Sequence, residues 1–170
     1  TLEYLVQQGA RVIICAHRGR PGGKFNEELS NAPVAKHLAT LIECEVGFVG
    51  DCVGPEVEAA VEALEPGNLL LLENVRFYAG EEANDPQFAR QLASLADVFV
   101  SDAFGTAHRA HASVVGVGYY LPAVAGLLME RELDYVGRVA TDGEQPIAVI
   151  LGGAKVADKL AILKNLVDRA

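Results

Sequence analysis

Arginine, lysine and histidine recur directly after four short apolar runs of this sequence. Residues 11–16 (RVIICA) lead into His17-Arg18-Gly19-Arg20-Pro21-Gly22-Gly23-Lys24. Residues 68–72 (NLLLL) lead into Glu73-Asn74-Val75-Arg76-Phe77. Residues 97–100 (DVFV) lead into Ser101-Asp102-Ala103-Phe104-Gly105-Thr106-Ala107-His108-Arg109-Ala110-His111. Residues 146–151 (PIAVIL) lead into Gly152-Gly153-Ala154-Lys155-Val156-Ala157-Asp158-Lys159. A guanidinium fork donates two parallel hydrogen bonds to a phosphate or a carboxylate. A Gly-Gly turn entering a helix offers unpaired N–H groups and the positive end of the helix dipole. Lys155 and Lys159, four residues apart, project from one side of that helix start. Their charge opposes the dipole, and a bound polyphosphate would reverse the cost. The chemistry this pattern suits is the binding of a small anion.

The charge balance agrees. The 170 residues carry a net charge of −9, yet residues 4–26 hold Arg11, Arg18, Arg20 and Lys24 and no acid, so +4 sits there and −13 elsewhere. Duplex nucleic acid would call for the opposite overall sign, and no nucleic-acid partner is expected. Other chemistries find less support. His108 and His111 are three apart, but no cysteine or third histidine completes a metal set, so no metal site is expected. Cys15, Cys44 and Cys52 form no CxxC pair and read as reduced thiols of a cytoplasmic protein. Cys15 has no evident base to activate it. Residues 152–159 do not fit a Walker A loop, and Gly116-x-Gly118 lacks the third glycine of a dinucleotide fingerprint. Each element also has a plainer reading. The glycine-rich loop could be a solvated surface, Arg76 a rim salt bridge, and His37 a packed or snorkelling residue on a helix stripe.

The elements that must position these groups alternate. Apolar residues recur at helical spacing over residues 2–8, 34–42, 57–64, 88–95, 129–140 and 156–167, with short apolar strands at 11–16, 45–49, 68–72, 97–100 and 146–151. Asp85-Pro86 reads as an N-cap followed by a first-turn proline. Strands that are apolar throughout and separated by helices predict a doubly wound parallel sheet in a three-layer α/β/α architecture. Ligands of such sheets bind beyond the carboxyl ends of the strands, where the cations lie. Residues 112–129 carry no charge over 18 positions. Gly116, Gly118, Pro122 and Gly126 interrupt them, so a buried strand, a turn and a core helix are expected, not a membrane span. A helix from about residue 123 to 140, followed by a polar turn, is the one plausible domain joint.

These residues resemble the phosphoglycerate kinase family. The resemblance rests on the 17–23 loop, Pro33-Val34-Ala35, Leu72–Phe77, Asp102-Ala103-Phe104-Gly105-Thr106-Ala107-His108-Arg109-Ala110-His111-Ala112-Ser113 and Leu151–Lys159, in the family's order and over the whole chain. It implies a lobe at 1–122 for 3-phosphoglycerate or 1,3-bisphosphoglycerate and an interdomain helix and hinge at 123–142. It also implies the first β-α unit, 143–170, of a lobe for Mg-ADP or Mg-ATP. By position, His17, Arg18, Gly19, Arg20, Arg76 and Arg109 would bind the phosphoglycerate. Gly152 and Gly153 would line the nucleotide side, and Lys155 and Lys159 would serve the transferred phosphoryl group. The family's first strand, with its Asp-x-Asn motif, and most of its nucleotide lobe have no counterpart here. The resemblance therefore implies a fragment that is inactive alone, from a cytoplasmic, monomeric enzyme. Two positions depart from the family's pattern: Arg18 stands where Leu is usual and Ser101 where Asn is usual. A non-catalytic α/β module that binds a small phosphorylated anion, and a flavodoxin-like structural domain with a positive rim, are the competing readings.

Overall fold

Four leucines in a row, all buried, form strand β3 (Leu69–Leu72). An unbroken apolar run of this kind is stable only where both faces of the strand are covered and both edges paired. In the computed structural model, which describes residues 1–141, β3 is flanked in parallel by β1 (Val12–Ile14) and β2 (Val46–Val49), with Val12 and Val46 both level with Leu69. A second parallel pair, β4 (Phe99–Ser101) and β5 (Ala123–Ala125), aligns Phe99 with Ala123. Among the described residues β1 and β4 are not paired with each other, so the strands form sheets of three and two. Helices α1 (Leu2–Gln7), α2 (Ala32–Leu38), α3 (Pro55–Glu62), α4 (Ala79–Glu82) and α5 (Pro86–Ala93) alternate with them, and α6 (Leu127–Thr141) follows β5. The fold is α/β.

Local chemistry explains the boundaries. Asp85 caps α5, its side chain accepting the Phe88 N–H at 2.8 Å, with Pro86 in the first turn. The helix then turns Phe88, Ala89, Leu92 and Ala93 into a core shared with Val57, Leu70 and Leu72. Phe88 stacks on Tyr78 with ring centroids 4.8 Å apart. Burying side chains of this size contributes about 1.5–3 kcal/mol each.

Two sequence expectations need correction. The helix expected from residue 123 begins at Leu127, because Ala123–Ala125 are extended beside β4. The Pro122 carbonyl accepts the Phe99 N–H at 2.9 Å, which starts the ladder. The helix start is then fixed from a distance: Asp102 Oδ1 accepts the Leu128 and Met129 N–H groups at 2.9 and 3.1 Å. In the charge-free stretch a 3-10 turn (Gly116–Tyr119) precedes the strand instead of following it, and β5 is exposed throughout. No helix of the described residues is long and apolar enough to cross a membrane. His37 is exposed, so of the two readings of that stripe position the packed one does not hold. The expected strand at 146–151 and helix at 156–167 lie outside the described residues.

Candidate functional site

A buried polar network at the carboxyl end of β3 shapes the loop that follows β1. Glu73, 4% exposed, accepts the Ser30 hydroxyl on Oε2 at 2.6 Å and the Asn31 and Asn74 N–H groups on Oε1 at 2.7 Å each. Asn31 Nδ2 donates to the carbonyls of Ala16 and Leu72, both at 3.2 Å. Asn74 is fully buried; its Nδ2 donates to the carbonyls of Arg18 at 2.8 Å and Leu29 at 2.9 Å, and its Oδ1 accepts the Arg76 N–H at 3.1 Å. Cys52 donates its thiol to the Glu73 carbonyl at 3.1 Å, and burial pushes its pKa up, so it serves structure and not nucleophilic chemistry. The loop is thus fastened at both ends to the segment that leads from β3 to Arg76. Gly23 closes against the same turn: its N–H donates to the Arg76 carbonyl at 3.2 Å, and a Cβ there would stand 2.9 Å from the Ala79 Cα. With φ at +74°, this position suits glycine twice over.

Arg76 sits on the 3-10 turn Val75–Phe77 and is 5% exposed. Nη1 donates to the Gly19 carbonyl at 3.0 Å. Nε is buried with no hydrogen-bond partner, and the Glu82 carboxylate stands 3.6 Å away. A guanidinium has five N–H donors, and among the described residues only one of them makes a hydrogen bond. Arg76 also lines a cavity of about 300 Å³.

Three segments line that cavity: His17, Gly19 and Arg20 after β1, Arg76 after β3, and Gly105, Thr106, His108 and Arg109 after β4. Five of the six substrate residues expected from the sequence, His17, Gly19, Arg20, Arg76 and Arg109, therefore share one wall-to-wall space. Arg18 does not. Its guanidinium donates to the Ser30 carbonyl at 3.3 Å, and it contributes its backbone carbonyl to Asn74 instead. Gly152, Gly153, Lys155 and Lys159 lie outside the described residues. His17 has a lowered pKa: partial burial disfavours the imidazolium first, then the charges of Arg76, His111 and Arg109, while Glu81 partly offsets them. A neutral His17 offers hydrogen bonds to an anion; a bound anion would favour its protonation.

Sequence reasoning missed the groups behind the cavity. Ser30, Asn31, Glu73 and Asn74 form the network above, and Asp102 caps α6. Glu81, 2% exposed, accepts from Ser113 and stands 3.6 Å from His111 Nδ1. The available signal was polar residues in sequence settings that also suit a surface. Ser30-Asn31 precedes Ala32-Pro33 and Glu81-Glu82 lies in a four-residue helix, settings that suit solvent as well as burial. Among the described residues no group of three His, Cys, Asp or Glu side chains is placed to hold a metal ion. A second cavity of about 240 Å³ is lined by Asn74, Phe25, Asp51, Cys52 and Tyr78 among others. It carries no arginine or lysine.

The comparisons with known proteins fit this geometry. The family model for phosphoglycerate kinase matches residues 1–170. A phosphoglycerate kinase of Moorella thermoacetica is 58% identical over 169 residues, covering 99% of this chain and 43% of its own length. That of Desulforudis audaxviator is 54% identical over 170 residues, covering 100% and 43%. Among solved structures, phosphoglycerate kinase from Coxiella burnetii superimposes with a TM-score of 0.84 at 41% identity, covering 96% of this chain and 40% of that one. The enzyme from Pyrococcus horikoshii gives 0.86 at 32% identity, covering 99% and 43%. The chain thus spans about 43% of the length of the curated relatives it matches. From the first residue to the last, the chain belongs to the phosphoglycerate kinase family.

Proposed function

We propose that this chain carries the phosphoglycerate-binding part of a phosphoglycerate kinase. The whole protein would transfer a phosphoryl group reversibly between 1,3-bisphosphoglycerate and ADP, giving 3-phosphoglycerate and ATP. The observation that carries this reading is Arg76, a buried guanidinium with unspent donors at the head of a cavity that Arg20 and Arg109 also line. A buried cation is costly unless anions meet it, and Glu82, 3.6 Å from Nε, answers only that side of the guanidinium. Phosphoryl transfer needs positioning and charge neutralisation more than a protein nucleophile. Arg20, Arg76 and Arg109 would anchor the phosphate already on the acid, and His17 and His108 would add hydrogen bonds. The nucleotide, with Mg²⁺, would be the second substrate. Its expected contacts, Gly152, Gly153, Lys155 and Lys159, belong to the undescribed residues, so no step is assigned to them.

Calorimetric titration with 3-phosphoglycerate tests the reading. One molecule is expected to bind per chain. Arg76→Ala removes a hydrogen bond to a charged group, which contributes roughly 1.5–3 kcal/mol, so affinity should fall about ten- to a hundredfold. Absence of binding by the wild-type chain, or an unchanged Arg76→Ala, would refute it.

A further inference from the structure

Both side-chain oxygens of Glu81 are turned towards one stretch of chain 32 residues away. Oε2 accepts the Ser113 N–H at 2.9 Å, and Oε1 accepts the Ser113 hydroxyl at 2.6 Å. Oε1 also stands 3.6 Å from His111 Nδ1, and the Glu81 backbone carbonyl accepts the Ala112 N–H at 2.9 Å. One residue therefore ties down all of 111–113. The other end of the same segment is fixed by Asp102 against the start of α6. The turn that lines the cavity with Thr106, His108 and Arg109 hangs between these two carboxylates.

The facing arm belongs to the same short stretch as Glu81. Arg76 lies five residues earlier, on the turn leading into α4, and Glu82 is its ion-pair partner. Glu81 thus joins the Arg76 side of the cavity to the Arg109 side. A buried carboxylate is expensive unless its lone pairs are filled by charge-assisted hydrogen bonds. Ser113 supplies one to each oxygen, with His111 Nδ1 3.6 Å from Oε1, and these contacts fix where the second arm sits. Glu81 does not line the cavity, so it acts through the residues that do.

We propose that Glu81 is a positioning residue of the anion pocket, setting the separation of Arg76 from His108 and Arg109. The inference rests on the reading that the pocket takes a phosphorylated carboxylic acid, and the test keeps the two apart. Wild type, Glu81→Ala, Glu81→Gln and Ser113→Ala are titrated with 3-phosphoglycerate. Glu81→Ala is expected to weaken binding at least about tenfold, the scale of one or two lost buried hydrogen bonds. Glu81→Gln keeps an acceptor for the Ser113 N–H and can donate to the Ser113 hydroxyl, so it should return to within about threefold of wild type. Ser113→Ala separates this from a general loss of packing, because it removes the hydroxyl bond to Glu81 while scarcely changing the volume filled. If Glu81→Ala does not fold, Ser113→Ala carries the test and should weaken binding about three- to tenfold. Wild type that binds while Glu81→Ala, or Ser113→Ala in its place, binds equally well overturns the positioning role and leaves the pocket standing. Glu81→Gln no better than Glu81→Ala also overturns it. No binding by wild type overturns the pocket and this role with it.

Discussion

Replacing Asn74 by alanine isolates what the buried network does for the pocket. Asn74 is fully buried and makes three hydrogen bonds: to the carbonyls of Arg18 at 2.8 Å and Leu29 at 2.9 Å, and from the Arg76 N–H at 3.1 Å. At about 1 kcal/mol net for each buried bond, the loss is about 3 kcal/mol. For a domain of this size that lowers the melting temperature by roughly 6–12 °C. It remains smaller than the usual 5–15 kcal/mol of stability, so the variant should still fold. Because two of the three bonds hold the loop bearing His17 and Arg20, part of the cost must reappear in binding. The loop would be ordered only when ligand arrives, and affinity for 3-phosphoglycerate should fall about tenfold. Asn74→Asp sharpens the test. It keeps the acceptor for Arg76 but turns both donations into oxygen facing carbonyl oxygen. At neutral pH it should be no better than alanine. In acid, once protonated, it can donate again and should recover in part. Thermal melts followed by circular dichroism and calorimetric titration read both quantities. An Asn74→Ala variant that melts within about 2 °C of wild type and binds equally well would refute the network's role. So would an Asn74→Asp variant indistinguishable from wild type.

Two further outcomes follow from the charges. The depressed pKa of His17 means that the unfolded chain binds its proton more readily, so this histidine makes stability fall as pH drops below 6.5. A bound phosphate should reverse the preference and draw a proton in. Titration with 3-phosphoglycerate near pH 6, in two buffers of different ionisation enthalpy, should report uptake of a fraction of a proton, absent from His17→Gln; equal uptake by both would refute it. Asp102 titrates in the same sense for stability, but in the carboxylate range. Burial opposes its ionisation, but hydrogen bonds from Thr1, Met129 and Leu128 outweigh that and hold its pKa below the ordinary 3.8. Its contribution is therefore present above that value and lost as pH falls through the lower folded one. Asp102→Ala removes a helix cap, should cost about 1 kcal/mol, and should reduce helical ellipticity from α6; a variant with unchanged melting temperature would exclude the cap.

How far the sequence could be read depended on the distance between partners. Strand β3 declared itself because four adjacent leucines need no partner to be recognised as buried, and α5 because Asp85, Pro86 and its apolar stripe lie within one helix. The cations of the pocket were legible because each lies in the segment that follows a strand. The groups that hold them were not. Glu81 and Glu82 are adjacent acids in a helix of four residues, too short to show a face, yet one is 2% exposed and the other 45% on its side chain. What separates them is Ser113, 32 residues away. Asn74 likewise reaches back 45 and 56 residues. The contact of Arg18 was hidden for the same reason: its guanidinium donates to the Ser30 carbonyl, 12 residues on. β5 was read as helix because Ala123–Ala125 suit either state and only pairing with β4 decides between them. The binding groups of this chain are written locally, and the rigidity that makes them a pocket is written in pairs.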